Sequence, residues 1–184
     1  MVGTRPETIK LAPVIKELER RGIDFTFIHT GQHYDYMLSL KFIEELELPK
    51  PDYSFKLRSN RPASQMGEMI VKLERTLRRC KPKLMVIQGD TNTMLAAALA
   101  GVKLFIPVAH VEAGLRSYDW RMPEEHNRRM VDHVSTLLFA PTEHAKQNLL
   151  NEKVYGRVFV TGNTVVDAVK QHLPLAEKAS RIME

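Results

Sequence analysis

An open, doubly wound parallel α/β sheet is the fold class that this chain of 184 residues predicts. Three observations lead to it. Short apolar runs alternate with segments whose apolar residues recur at helical spacing, a pattern that pairs strands in parallel through right-handed crossovers. Clusters of Gly, Asp, Thr, Asn and Pro stand where the runs hand over to helices. The composition, 43% hydrophobic and 27% charged, is that of an ordinary globular chain, long enough for one well-buried domain and short for two.

The elements follow in order. After Gly3-Thr4-Arg5-Pro6-Glu7, residues Leu11, Val14, Ile15 and Leu18 recur at helical spacing, and Gly22 supplies a C-terminal stop. Asp24 to His29 alternates as a strand. A helix is expected from Tyr36 to about Leu46, ending before Pro49, and Met66, Met69, Ile70, Leu73 and Leu77 mark a third. Lys83 to Gln88 reads as a buried strand, followed by Gly89-Asp90-Thr91 and an alanine-rich helix to Gly101. The run from Leu104 to Val111 contains the next strand, and Pro123 opens another helix. Leu137 to Ala140 is a strand, Glu143 to Leu150 a helix, Arg157 to Val160 the last strand and Thr164 to His172 the closing helix.

Composition narrows the function classes. Cys80 is alone, so a disulfide framework or cysteine-based metal site within the chain is excluded. No apolar run has the length of a membrane span and no charged-then-apolar leader is present, so a cytoplasmic protein is expected. The net charge of +5 suits an acidic partner. The basic residues are scattered, however, and do not interleave with aromatics as a base-stacking surface would. A diphosphate-bearing small molecule accounts for the surplus as well as a polynucleotide does.

Ligands of doubly wound sheets sit beyond the carboxyl ends of the strands. That rule selects Gly3 to Glu7, Gly31 to His33, Gly89 to Thr91, Val111 to Arg116 and Thr161 to Thr164. Pro6 fits a first helical position, whose free N–H groups form an anion site, with Arg5 and Lys10 in reach of the same anion; a capped helix with a surface arginine fits as well. Asp90 is placed as a partly desolvated carboxylate or as a helix cap. Glu112 follows an apolar run, Gly114 permits a sharp turn, and Arg116 can pair with Glu112 or hold a phosphate. Glu124 and Glu125 complement a helix dipole without any further role. His110, His126 and Glu125 lack one-face metal spacing, so no metal site is expected.

Read together, GTRPE at Gly3 to Glu7, GQH at Gly31 to His33, GDT at Gly89 to Thr91, HVEAGLRS at His110 to Ser117, PEEHNR at Pro123 to Arg128, FAPTE at Phe139 to Glu143 and TGNTVVDA at Thr161 to Ala168 closely resemble the non-hydrolysing UDP-N-acetylglucosamine 2-epimerases. The motifs are colinear over nearly the whole chain. The resemblance implies a GT-B-like architecture of two Rossmann-like halves, of which residues 1–184 form the N-terminal one, and interconversion of UDP-GlcNAc and UDP-ManNAc without a cofactor. It implies catalytic carboxylates at Asp90, Glu112 and Glu124 and a nucleotide-sugar site with Arg5 and Lys10; Arg116 is added as a phosphate contact. Gln32 and His33 resemble part of a regulatory UDP-GlcNAc site, although Tyr34-Asp35-Tyr36 departs from the usual pattern. A homodimer of the whole protein is implied, together with more apolar strand before GTRPE and a second domain after Glu184.

The chemistry suits these residues. Departure of UDP from C1 acidifies the C2 proton, a carboxylate removes it, and UDP adds back to the glucal-type intermediate after protonation from the other face. Glu112 is the first choice of base, with Asp90 and Glu124 assisting. Rival readings are a hydrolysing epimerase or GT-B glycosyltransferase, a non-catalytic nucleotide-sugar module, and a nucleic-acid binder.

Overall fold

The computed structural model describes residues 1–31 and 36–179, with backbone alone for 36–40 and 174–179. Its elements run α1 (Arg5–Arg20), β1 (Ile28–His29), α2 (Tyr36–Glu45), β2 (Tyr53–Ser54), α3 (Pro62–Cys80), β3 (Met85–Gln88), α4 (Asn92–Lys103), β4 (Val108–Val111), α5 (Pro123–Val134), β5 (Leu137–Ala140), α6 (Glu143–Asn151), β6 (Arg157–Val160) and α7 (Thr164–Ala179).

All strand pairs are parallel. One sheet has the order β3-β4-β5-β6 and a second pairs β1 with β2. Val2 stitches the two together. Its N–H donates to Ile28 O at 3.0 Å, its carbonyl accepts from Thr30 N at 2.9 Å, and the Met1 amino group donates to Val86 O at 3.0 Å. Met1-Val2 therefore occupies a strand position between β1 and β3, where the strand order reverses. Ligand crevices of such sheets open at that reversal.

Alternation within the strands divides the core. Met85 and Ile87 face Met69, Leu73 and Met94 of α3 and α4, whereas Val86 faces Val2, Leu11, Ala12 and Ile15 on the α1 side. The register sets Ile87, His110 and Leu138 in one row across the first face. Farther along, Leu138 and Ala140 pack on Ala145 and Leu149 of α6. Helices thus cover both faces, the doubly wound arrangement expected from the alternating pattern.

Several boundaries move from their expected places. The first strand is only Ile28–His29 rather than Asp24 to His29, because just this stretch has a partner on both sides; Phe27 N–H is already taken by the Asp52 carboxylate at 2.7 Å. β2 has no apolar run of its own and exists through its bonds to β1. The third helix opens a turn before its first core residue, with Pro62 at a first-turn position where its missing N–H costs nothing. α7 continues past His172 to Ala179. No helix among the described residues is long and apolar enough to cross a membrane.

Candidate functional site

A cleft of about 270 Å³ opens at the carboxyl ends of the central strands, lined by the start of α1, the loop after β3, the loop after β4 and the first turns of α5. Each wall has a local cause. Thr4 caps α1 in extended backbone, and Glu7 folds back so that its Oε2 accepts from Gly3 N at 2.6 Å and Thr4 N at 2.8 Å. Its Oε1 accepts from the Thr91 hydroxyl, tying the loop after β3 to α1. Burial pushes the Glu7 carboxyl up from its ordinary value, against the pull of the Thr91, Gly3 and Thr4 hydrogen bonds. The anion position expected at this helix start is thus filled, at Gly3 and Thr4, by the chain's own carboxylate.

Gly89 turns the chain out of β3 at φ +86°, and Asp90 follows. The Asp90 carboxylate does not cap α4. It accepts from Arg128 Nη2 at 2.5 Å and Nε at 3.1 Å, and Asn127 Nδ2 donates to the Asp90 carbonyl at 2.9 Å. At the end of β4, Glu112 adopts φ +70°, a left-handed conformation costly for a side chain with a Cβ and most often retained at functional sites. Its N–H and that of Ala113 both reach Phe139 O at 3.1 Å, so β5 holds the turn in place. Gly114 follows at φ +83°, where a Cβ would collide with the Ala145 carbonyl.

This turn points the Glu112 carboxylate back into the cleft. Lys10 Nζ lies 2.7 Å from Oε2 and 2.8 Å from Oε1, and Gln88 Nε2 donates to Oε2 at 2.7 Å. Glu124 stands exposed on the rim at the start of α5. Lys10, Asp90, Glu112 and Glu124 therefore line one cleft.

Two expected contacts lie elsewhere. The Arg5 side chain is exposed, with its guanidinium over the Phe42 ring at 5.4 Å, and does not line the cleft. Arg116 neither pairs with Glu112 nor reaches the cleft. Its fully enclosed guanidinium lies 2.8 Å from Asp132 and 2.6 Å from Glu152. Burial lowers its pKa, but the bond to Glu152 and the Asp132 charge outweigh this and raise it. Gln32 and His33 lie outside the described residues.

Beneath the cleft this arginine belongs to a larger set. Asp132 accepts from His110 Nδ1 at 2.7 Å, while His110 Nε2 holds the Gly89 carbonyl at 2.8 Å. Glu152 also pairs with Arg129, which pairs with Glu125; Glu125 holds Arg128 as well as the N–H and hydroxyl of Ser117. Arg128 and Gln88 are the cleft-lining side chains that local reading missed. Arg128 had a signal, being four residues after Glu124 and therefore on the same helix face. Gln88 had none. Among the described residues no three His, Cys, Asp or Glu side chains are grouped to hold a metal ion.

Fold and cleft together define a doubly wound α/β domain with a cleft lined by a carboxylate cluster and two cations at the topological switch point. Comparison with known proteins supplies the family. The family model for UDP-N-acetylglucosamine 2-epimerase matches residues 16–184. The chain is 52% identical over 183 residues to the UDP-N-acetylglucosamine 2-epimerase of Methanocaldococcus jannaschii, covering 99% of this chain and 50% of that protein. It is 44% identical over 153 residues to a UDP-2,3-diacetamido-2,3-dideoxy-D-glucuronate 2-epimerase of Pseudomonas aeruginosa, covering 83% of this chain and 43% of the relative. The crystal structure of the Methanocaldococcus jannaschii UDP-GlcNAc 2-epimerase in complex with UDP-GlcNAc and UDP superposes with a TM-score of 0.94, over 99% of this chain and 51% of that one. The chain belongs to the UDP-N-acetylglucosamine 2-epimerase family and spans about half the length of these relatives.

Proposed function

We propose that the chain carries the proton-transfer half of an enzyme that interconverts UDP-GlcNAc and UDP-ManNAc. The observation that carries this reading is Glu112. Its carboxylate is turned into the cleft by left-handed backbone, 10% exposed, and held between Lys10 and Gln88 in a cleft that Asp90 also lines. A general base needs this combination of fixed position and partial desolvation.

In the reaction, the C1–O bond to UDP breaks and its electron pair leaves with the phosphate. Glu112 takes the C2 proton, and the C–H electron pair forms the C1–C2 double bond. Protonation of C2 from the opposite face and return of UDP to C1 give the epimer, so atoms and charge balance without an oxidant or nicotinamide. Asp90 and Glu124 are assigned to proton transfer on the facing side. Lys10 and Arg128 are the cleft cations able to meet phosphate oxygens, each by exchanging a carboxylate partner for the ligand. Action in the cytoplasm as a homodimer completes the proposal on the strength of the family resemblance.

Proton NMR of UDP-GlcNAc incubated with the chain in D2O tests it. UDP-ManNAc carrying deuterium at C2 is the expected product. Binding of UDP-GlcNAc without exchange would instead mark a nucleotide-sugar-binding half that does not turn over, and neither binding nor exchange would sink the reading.

A further inference from the structure

The proposed chemistry leaves His110 without a task. It stands on β4 between Ile87 and Leu138, with its side chain fully enclosed. Each ring nitrogen meets an oxygen at hydrogen-bond distance. Nδ1 lies 2.7 Å from Asp132 Oδ1, and Nε2 lies 2.8 Å from the Gly89 carbonyl.

A neutral imidazole has one N–H and one lone pair, so it can donate to only one of these oxygens. The Gly89 carbonyl can only accept. Asp132 is held as a carboxylate, because its Oδ2 faces the Arg116 guanidinium at 2.8 Å and accepts from Gly114 N at 3.2 Å. Both sides of the ring are therefore acceptors, and each requires a proton on the nitrogen that faces it. The surrounding charges agree. Shared ion pairs link Arg116, Arg128 and Arg129 with Asp90, Glu125, Asp132 and Glu152 in one set, three cations against four anions. A cationic His110 brings that set to neutrality. Of the other charged groups around the cleft, Lys10 and Glu112 are paired with each other, and Glu7 is bonded to Thr91, Gly3 and Thr4.

We propose that His110 is a positioning residue held as the imidazolium, whose two N–H groups clamp the turn carrying Asp90 to Asp132 of α5. Gly89 is the link. Its N–H donates to Val111 O at 3.2 Å and its carbonyl accepts from His110, so β4 fixes both of its polar groups before the chain turns out into Asp90. From α5, Asn127 takes the Asp90 carbonyl and Arg128 its carboxylate. A neutral ring sets a lone pair against either the Gly89 carbonyl or Asp132, and the turn loses one of its supports. The consequence for catalysis rests on the function proposed above, in which Asp90 moves a proton. A small displacement of such a group is costly in rate.

The ring protons are read first, in the unaltered chain, by proton–nitrogen correlation NMR with 15N-labelled histidine. The buffer is set at about pH 8, where an ordinary histidine, titrating at about 6.5, is neutral. A proton on both nitrogens of His110 is the expected result, and a single N–H overturns the proposal without any ligand or turnover being needed.

Two variants then separate the two bonds. A glutamine amide reaches the Nε2 position and keeps the hold on Gly89, whereas an asparagine amide reaches only the Nδ1 position and keeps the bond to Asp132. Deuterium exchange at C2 of saturating UDP-GlcNAc should fall about tenfold or more in His110→Asn and less than about threefold in His110→Gln. A merely structural role lowers both alike or reverses their order, and either outcome overturns the proposal. Absence of exchange in the unaltered chain counts against the proposed function instead, and the ring spectrum still decides the clamp.

Discussion

Two ion clusters lie on either side of the turn that leaves β4, and they use the same chemistry to opposite ends. In the cleft, Lys10–Glu112 and Arg128–Asp90 keep side-chain exposures of 26%/10% and 14%/32%. Behind it, Arg116 is bound to Asp132 with both side chains at 0%, and every charge has more than one partner. The buried cluster has spent its bonding capacity on the fold. The cleft cluster holds its groups in place while leaving them able to exchange a protein partner for a ligand. Charge alone does not distinguish a site from a scaffold; residual access does.

The largest expected effect follows from breaking the buried cluster. Arg116→Leu leaves the fully enclosed Asp132 and the 19% exposed Glu152 without their shared cation, and removing one partner of a buried pair costs about 3–5 kcal/mol. Urea unfolding of the variant measures it. A loss below about 1 kcal/mol would mean that the cluster is not closed to water and that the contrast drawn above fails.

Glu112→Gln is the matching change in the cleft. The amide keeps the shape and can still meet Lys10 and Gln88, so stability should move by about 1 kcal/mol or less. Exchange at C2 should fall by a factor of about 100 or more, while UDP-GlcNAc binding persists. Retained exchange, followed by NMR in D2O, would remove Glu112 from the role of base. The pair of variants separates the clusters: one loses fold and the other loses chemistry.

The contrast also explains how far the sequence could be read. Strands β3, β4 and β5 were legible because each is an apolar run ended by a turn residue, and the sheet class followed from their alternation with helices. β2 was not, since Tyr53-Ser54 has no pattern and owes its pairing to β1, through Phe55 N to His29 O at 2.9 Å. Glu112 and Lys10 were legible in position because a strand end and a helix start place them, whereas Asp90 read locally as a helix cap and its place among the carboxylates came from the family resemblance. Arg116 misled because its spacing from Glu112 suggests a pair, whereas the left-handed turn at Glu112 sends the two side chains apart. Its true partners, Asp132 and Glu152, come from α5 and the end of α6, separations no local pattern reveals.

A smaller effect concerns Glu125, which links the two clusters through Arg128 and Arg129. Burial pushes its carboxyl up, but the bonds from Ser117 and Arg129 and the Arg128 charge prevail and hold it down to about 2. Its folded value therefore lies below the unfolded value near 4.5. The stabilisation is present above that unfolded value and is lost as pH falls toward 2. Glu125→Gln should accordingly be less stable than the unaltered chain at pH 7, by about 1–3 kcal/mol. The gap should narrow steadily as the buffer is taken from pH 5 to pH 3. A gap independent of pH would show that Glu125 acts through packing rather than charge. Glu7 provides the opposite sign, because burial raises its carboxyl: the stability it contributes is complete at low pH and declines as pH rises through the folded value.

The smallest effect belongs to Glu17, and it isolates solvent as the variable. Its carboxylate meets Arg20 at 2.7 Å and Arg21 at 2.6 Å, distances as short as those around Arg116. These partners are 68% and 62% exposed, on the outer face of α1. Water competes for each charge, salt screens the pair, and two long side chains lose freedom in forming it. Glu17→Gln should leave the Tm within measurement error, at low and at high salt alike. A clear drop at low salt would show that distance, rather than enclosure, governs what an ion pair contributes in this domain, and the division between cleft and scaffold would then have to be drawn on partner count alone.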